Sequence, residues 1–347
     1  MTEFELIERF FKRGGGTAVL GNGDDCALVA PSPDNVFAMT TDTLVLGRHF
    51  LPSLAPERLG RRVVHVNCSD LAAMGAKPRY ALLSLTLPAI DTSWVAAFAG
   101  GLWSALDAFG IELVGGNTTR GPLAITLTAL GDVPPAQALT RGGARAGDEL
   151  WVSGELGDAG WALASLLRER DGAGEPAIVA SATQIERYEC PTARVALGIA
   201  LRGVASSCID ISDGLLSEAQ HIASASGVDI DIDIGAIPTG IAGIDRSDVW
   251  AATAIDAVAC DGERRRIARA QMAQHCLLAT GDAYELLFTA APTRHDEVAR
   301  LLAAHALPGA CIGRVSRTGG APTVRVLDAQ SRPMQIAIKG WDHFSHE

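Results

Sequence analysis

Apolar positions recur at helical spacing over residues 3–12, over 56–75 after a proline, and over 92–109. Each of these segments is predicted to bury one face of an α-helix. Between them lie shorter runs, "VFAMTT" (36–41), "YALLSLTL" (80–87), "IELVG" (111–115) and "LAITLTAL" (123–130), with the length and composition of strands. The stretch "ALTRGGARAGDELWVSG" reads as a glycine-rich turn feeding a new strand, so a boundary is placed there, between 1–148 and 149–347. Beyond it, helices are predicted near 157–170, 192–202, 213–226, 262–274 and 293–306. They alternate with strands near 207–211, 228–234, 284–289 and 309–315. Alternation of this kind in both halves predicts two α/β domains, and 347 residues is a natural length for two.

Charge narrows the chemistry. The net charge of −11 argues against a phosphate-backbone binder, because nucleic-acid proteins neutralise phosphates with basic patches. Lysine occurs only at 12, 77 and 339, so any phosphate chemistry must lean on arginine, backbone N–H groups or metal ions. Seven scattered cysteines without a C-x-x-C pair fit buried thiols in a reducing compartment. The acidic, amphipathic start "MTEFELIERFFKR" has no apolar signal core, and no apolar run approaches a membrane span. A cytoplasmic protein is expected, with no nucleic-acid or membrane partner.

Several acidic residues fall at the edges of these elements. "GNGDDCALV" puts Asp24 and Asp25 after a tight turn, "MTTDTLVLGRHF" puts Asp42 at a strand end, and "VNCSDLAAMGAKP" puts Asp70 in a helix among small apolar neighbours. Singly, each has a plain reading: a turn residue, a strand-end cap, a surface helix residue. Jointly they suggest oxygen ligands for Mg²⁺, which takes carboxylates together with substrate phosphates. In "SCIDISDGLLSEAQHI", Asp210 ends a strand, and Ser212, Asp213 and Gly214 open a helix. Those residues suit a helix N-cap and equally a phosphate site on free N–H groups. In "LVGGNTTRGP" the paired glycines allow close backbone approach, and Asn117 stands where a carboxylate would be more usual. No P-loop, completed G-x-G-x-x-G, kinase H-R-D set or G-x-S-x-G elbow occurs. His65, at helical spacing, is expected to be structural.

Taken together, "GDDCA", "TTDTLVLGRHF", "NCSDLAAMGAKP", "GGNTTRGP", "ALTRGGARAGD", "DISDGL" and "YELLFT" resemble, in order and spacing, the thiamine-monophosphate kinase family. That family is part of the superfamily of aminoimidazole ribonucleotide synthetase and selenophosphate synthetase. The resemblance runs from "FELIERFF" to "KGWDHF". It implies a two-domain α/β fold like that of aminoimidazole ribonucleotide synthetase, whose N-terminal domain dimerises through its β-sheet. It implies transfer of the ATP γ-phosphoryl group to thiamine monophosphate, with ATP as co-substrate and several Mg²⁺ ions in a cleft. By motif match, Asp25, Thr40, Thr41, Asp42, Asp70, Asn117, Asp210 and Asp213 fall on metal positions. Gly116, Asn117, Arg141 and Ser212 fall on nucleotide positions, and His49, Asp282 and Trp341 on thiamine-phosphate positions.

Two departures stand out. The family usually reads Gly-Gly-Asp where this chain has Gly115-Gly116-Asn117, and commonly has a further acidic residue where this chain has Ala283. The competing readings are a non-catalytic or weakened nucleotide or thiamine-phosphate binder, and a superfamily relative with another acceptor. The segment "RGGGTAVLGNG" has neither the Cys nor the Lys of a selenophosphate synthetase.

Overall fold

The structure is a computed structural model and describes residues 2–170, 178–241 and 261–336. It divides into two compact units, Met1–Ala138 with Glu189–Ile199, and Leu139–Tyr188 with Ala200–Glu347. Among the described residues no helix is long and apolar enough to cross a membrane.

In the first unit, strands β1 (Val36–Val45), β2 (Lys77–Leu87), β3 (Glu112–Arg120) and β4 (Ala124–Val133) form a sheet in the order β1-β4-β2-β3. β4 is antiparallel to both its neighbours, and β2 runs parallel to β3. Helix α1 (Glu3–Phe10) begins in a capping box formed by Thr2 and Glu5. Helices α2 (Pro56–Ala73) and α3 (Thr92–Phe109) pack on each other and on one sheet face. They approach closely because Gly60 and Gly101 meet backbone of the opposite helix, where a Cβ would lie 2.1 Å from Phe98 O and 1.8 Å from Glu57 O. Val63, Val64, Leu71, Phe98, Leu102, Ile125 and Leu127 are buried in this layer, each worth about 1.5–3 kcal/mol of transfer free energy.

Side chains alternate across a strand, and here the alternation sorts the polar residues. Leu44, Ile125, Leu127, Ala129, Leu83 and Leu85 are buried, while Met39, Thr41, Thr43, Leu82 and Ser84 are exposed. The second set occupies the face opposite the helices.

In the second unit, six strands are arranged β10-β7-β9-β5-β8-β6, namely β5 (Glu149–Val152), β6 (Ser207–Asp210), β7 (Val228–Asp233), β8 (Leu286–Ala290), β9 (Ala310–Arg317) and β10 (Val324–Leu327). Only the β10–β7 pair is parallel. Every residue of β8, between two neighbours, is buried, so it reads as a continuous apolar run without alternation. α7 (Leu215–Ser226) contacts β6, β7, β8 and β10 and also α8 (Asp261–Ala279), which packs on α4 (Asp158–Arg170). Shorter helices α5 (Ala182–Glu189), α6 (Val195–Ala200) and α9 (His295–Ala304) complete the described α-helices.

Several strands outrun their predicted ends, β4 to Val133 and β9 to Arg317 among them. β1 continues to Val45, with Asp42 opposite Leu127, so Asp42 lies within a strand and not at its end. β3 continues to Arg120, which pairs with Leu87. Pairing to a neighbour holds Gly, Asn and Asp in strand geometry that local propensity does not favour.

Candidate active site

Strand β1 and helix α2 build the first part of the site. Thr40 and Asp42 share the inner, helix-facing side of β1 by period-2 alternation. Asp70 and Asn67 lie three apart on α2 and so on one face of it. The Thr40 hydroxyl donates to the Asp70 carboxylate. The fully buried Asn67 accepts from the Asp42 N–H at 3.2 Å and donates to Val63 O at 2.9 Å. Thr41 points to the opposite face, where its hydroxyl lies 3.0 Å from that of Thr128. The structure therefore brings Thr40, Asp42 and Asp70 together and separates the Thr41 side chain from them. Asn67, which ties the Asp42 backbone to α2, is not among the sequence candidates.

A second part is a pocket of about 1000 Å³ lined by one side of α1, by Asn22–Asp25 and by Gly115–Thr118. Asp25, Gly116 and Asn117, three of the sequence candidates, all line it. Gly116 has φ 152°, and a Cβ there would lie 1.8 Å from Leu83 O. The close approach that needs glycine is thus to the neighbouring strand β2. Asn22 ties the acidic loop down by donating to Phe11 O and Leu113 O.

A separate group of candidates lies in the second unit, on the loop from Asp210 to Gly214. Asp210 is buried at the end of β6, Ser212 is exposed and Asp213 is half-buried. The N-cap of α7 is Gly214, with no side-chain cap, so Ser212 and Asp213 do not cap the helix as the sequence suggested. Instead Glu218, one turn into α7, reaches back and accepts from the Asp213 N–H at 3.0 Å. On the other side the segment 281–284 clasps the loop: Asp282 N–H donates to Ser212 O at 3.0 Å and Tyr284 N–H to Ile211 O at 2.8 Å. A Cβ on Gly281 would sit 1.9 Å from Ser212 O. Asp282 (φ 65°) and Tyr284 (φ 50°) both adopt the left-handed conformation, which costs an ordinary side chain about 1–2 kcal/mol. Strain of this kind persists where surrounding contacts over-determine it, and it gathers at functional sites. Ala283 is half-buried against the apolar core.

Glu218 is 2% exposed. Burial, with repulsion from Asp213 and Asp210, pushes its carboxyl up to about 8 despite the N–H bonds that favour the anion. Its second oxygen, Oε2, has no hydrogen-bond partner among the described residues. In the sequence it resembles any acidic residue on a helix surface, and nothing there marked it.

Three candidates remain. His49 accepts from the Val45 N–H at 3.0 Å in the turn after β1. Arg141 is exposed, its carbonyl accepting from Ser226, and Trp341 lies outside the described residues. His65 is structural: its ring packs edge-on to Phe109, its Nδ1 accepts from Ala193 N–H, and burial lowers its pKa to about 4. No three His, Cys, Asp or Glu among the described residues cluster as a ready-made metal site.

Residues 23–133 match the AIR synthase related protein N-terminal domain, and residues 145–324 match the corresponding C-terminal domain. The fold is thus that of the AIR synthase related proteins. Within that class, the chain is 38% identical to the thiamine-monophosphate kinase of Salmonella typhimurium over 99% of its own length and 98% of the relative's. A crystal structure of thiamine-monophosphate kinase from Stenotrophomonas maltophilia superimposes with a TM-score of 0.75 at 36% identity, covering 93% of this chain and 96% of the other. AaThiL, complexed with AMPPCP and TMP, gives 0.69 at 31% identity, covering 91% and 89%. The chain belongs to the thiamine-monophosphate kinase family.

Proposed function

We propose that the chain transfers the γ-phosphoryl group of ATP directly to thiamine monophosphate, giving thiamine diphosphate and ADP, in a Mg²⁺-dependent step of thiamine diphosphate biosynthesis. The observation that carries this reading is kinship with thiamine-monophosphate kinases across both domains, over 99% of the chain. The relative solved with an ATP analogue and TMP supports the same pair of ligands.

The donors suit Mg²⁺. Thr40, Asp42, Asp70, Asp25, Asn117, Asp210 and Asp213 offer oxygen alone, and Mg²⁺ is held by one or two carboxylates plus substrate phosphates, not by an all-protein cage. When bound, Mg²⁺ supplies the positive charge that offsets repulsion between two anionic reactants. The chain's own residues do the positioning. Asn67 fixes the Asp42 backbone, the 281–284 clasp fixes Ser212, and Ser212 and Arg141, both exposed residues, are available to phosphate oxygens. Asp282 and His49, with Trp341, are assigned to the thiamine phosphate. No general base is needed, because the acceptor phosphate oxygen is already ionised near neutral pH. Positioning and electrostatic stabilisation account for most of the catalysis in phosphoryl transfer.

We further propose a homodimer formed through the outer face of the first sheet. Met39, Thr41, Thr43, Leu82 and Ser84 are exposed there, an uncharged surface suited to a second copy. A cytoplasmic location fits the six described cysteines, which are free thiols, as a reducing compartment keeps them. The test of the activity is incubation with ATP, Mg²⁺ and thiamine monophosphate, with and without EDTA, followed by chromatography. Product that requires Mg²⁺ is expected; nucleotide binding without any product would leave a binder.

A further inference from the structure

We propose that Glu218 is a positioning residue for the nucleotide, acting through the Ser212–Asp213 segment. The proposal rests on the kinase reading above. The loop from Asp210 to Gly214 is held on one side by the backbone of 281–284. On the other side, the Asp213 N–H is held by the Glu218 carboxylate, with the Ser212 hydroxyl 3.5 Å from the same oxygen. Gly214 caps α7 without a side chain, and Glu218 reaches back over the first turn in the manner of a capping-box acid, here to the N–H of the residue before the cap.

Glu218 is a costly choice for a brace. It is almost wholly buried, it lies beside two other acidic residues, and its Oε2 lacks a donor among the described residues. A buried polar atom left without a partner destabilises the chain that carries it. A brace of this kind makes physical sense where loop geometry matters more than stability. Groups behind the ligands, which orient them without touching the ion, have large effects on affinity.

The test uses the full chain, with the Mg²⁺-dependent binding of a non-hydrolysable ATP analogue read by calorimetry, steady-state kinetics, and thermal melting as the check on folding. Glu218→Met keeps the volume and removes the acceptor; Glu218→Gln keeps an acceptor oxygen for the Asp213 N–H. Glu218→Met is expected to weaken analogue binding by about tenfold or more and to raise the KM for ATP, with the KM for thiamine monophosphate unmoved. Glu218→Gln is expected to recover to within about threefold of the parent. A folded Glu218→Met that binds like the parent overturns the proposal. So does a Glu218→Gln as weak as Glu218→Met, since that would make the charge, and not the acceptor, the operative feature. If Glu218→Met does not fold, Glu218→Gln alone decides by the same threshold. If the parent itself binds no nucleotide, the kinase reading fails and takes the proposal with it; if the parent binds normally, only the role of Glu218 is at stake.

Discussion

The two acidic segments of the chain are held in place by different means. In the first unit, Thr40, Asp42 and Asp70 sit on a regular strand and a regular helix, and two side-chain contacts fix their mutual position. In the second, Asp210, Ser212 and Asp213 sit on an irregular loop. That loop is pinned by backbone hydrogen bonds, by two residues in the left-handed conformation and by one buried carboxyl. The first arrangement draws its precision from periodic structure. The second draws it from local strain and from contacts distant in sequence.

The largest effect is expected in the first unit. Asp42→Ala should lower kcat/KM on the order of 10²-fold or more while leaving the melting temperature near that of the parent; steady-state kinetics and a melting curve check both. An active Asp42→Ala would remove the functional half of the contrast. Asn67→Ala strips a buried acceptor from the Asp42 N–H and a donor from Val63 O, so it should cost about 1–3 kcal/mol of stability, measured by denaturant unfolding. Its activity should fall as well, because Asp42 loses its support. Unchanged stability in Asn67→Ala would show that regular structure alone positions the aspartate.

Asn117→Asp restores a full charge in the pocket shared with Asp25, and should tighten Mg²⁺ in the presence of nucleotide by about tenfold or less, about 1 kcal/mol at ordinary surface-to-buried dielectric. A Mg²⁺ titration of turnover reads this directly, and no shift would make Asn117 a tolerated neighbour of the site. The smallest effect is expected at the clasp. Asp282→Gly relieves a left-handed side chain and should change stability by about 1 kcal/mol or less, while raising the KM for thiamine monophosphate. A variant with unchanged KM would separate the strain from substrate binding.

What the sequence revealed follows the same contrast. Asp42 and Asp70 stood out as acidic residues beside apolar runs, and Thr40 came only with the family resemblance, although the alternation of β1 implies that Thr41 faces away from its two neighbours. Asn67 was not legible, since an Asn in a helix looks like part of a polar face until the opposing strand is known. The second unit hid more. The left-handed turn at Tyr284 has no sequence mark, because glycine, asparagine or aspartate would be the ordinary signal for it, and only Asp282 carries one. Glu218 reads as a surface acid, and only the fold of the loop onto α7 buries it. The extended ends of β1 and β3 were missed for the same reason: their partners, and not their own propensities, keep them in the sheet.

The most direct test of the central claim is the phosphorus balance of one reaction. ³¹P NMR of the protein with ATP, Mg²⁺ and thiamine monophosphate should show thiamine diphosphate and ADP appearing in equal amounts, with neither formed when unphosphorylated thiamine replaces the monophosphate. ADP accompanied by inorganic phosphate and no thiamine diphosphate would contradict direct transfer to thiamine monophosphate.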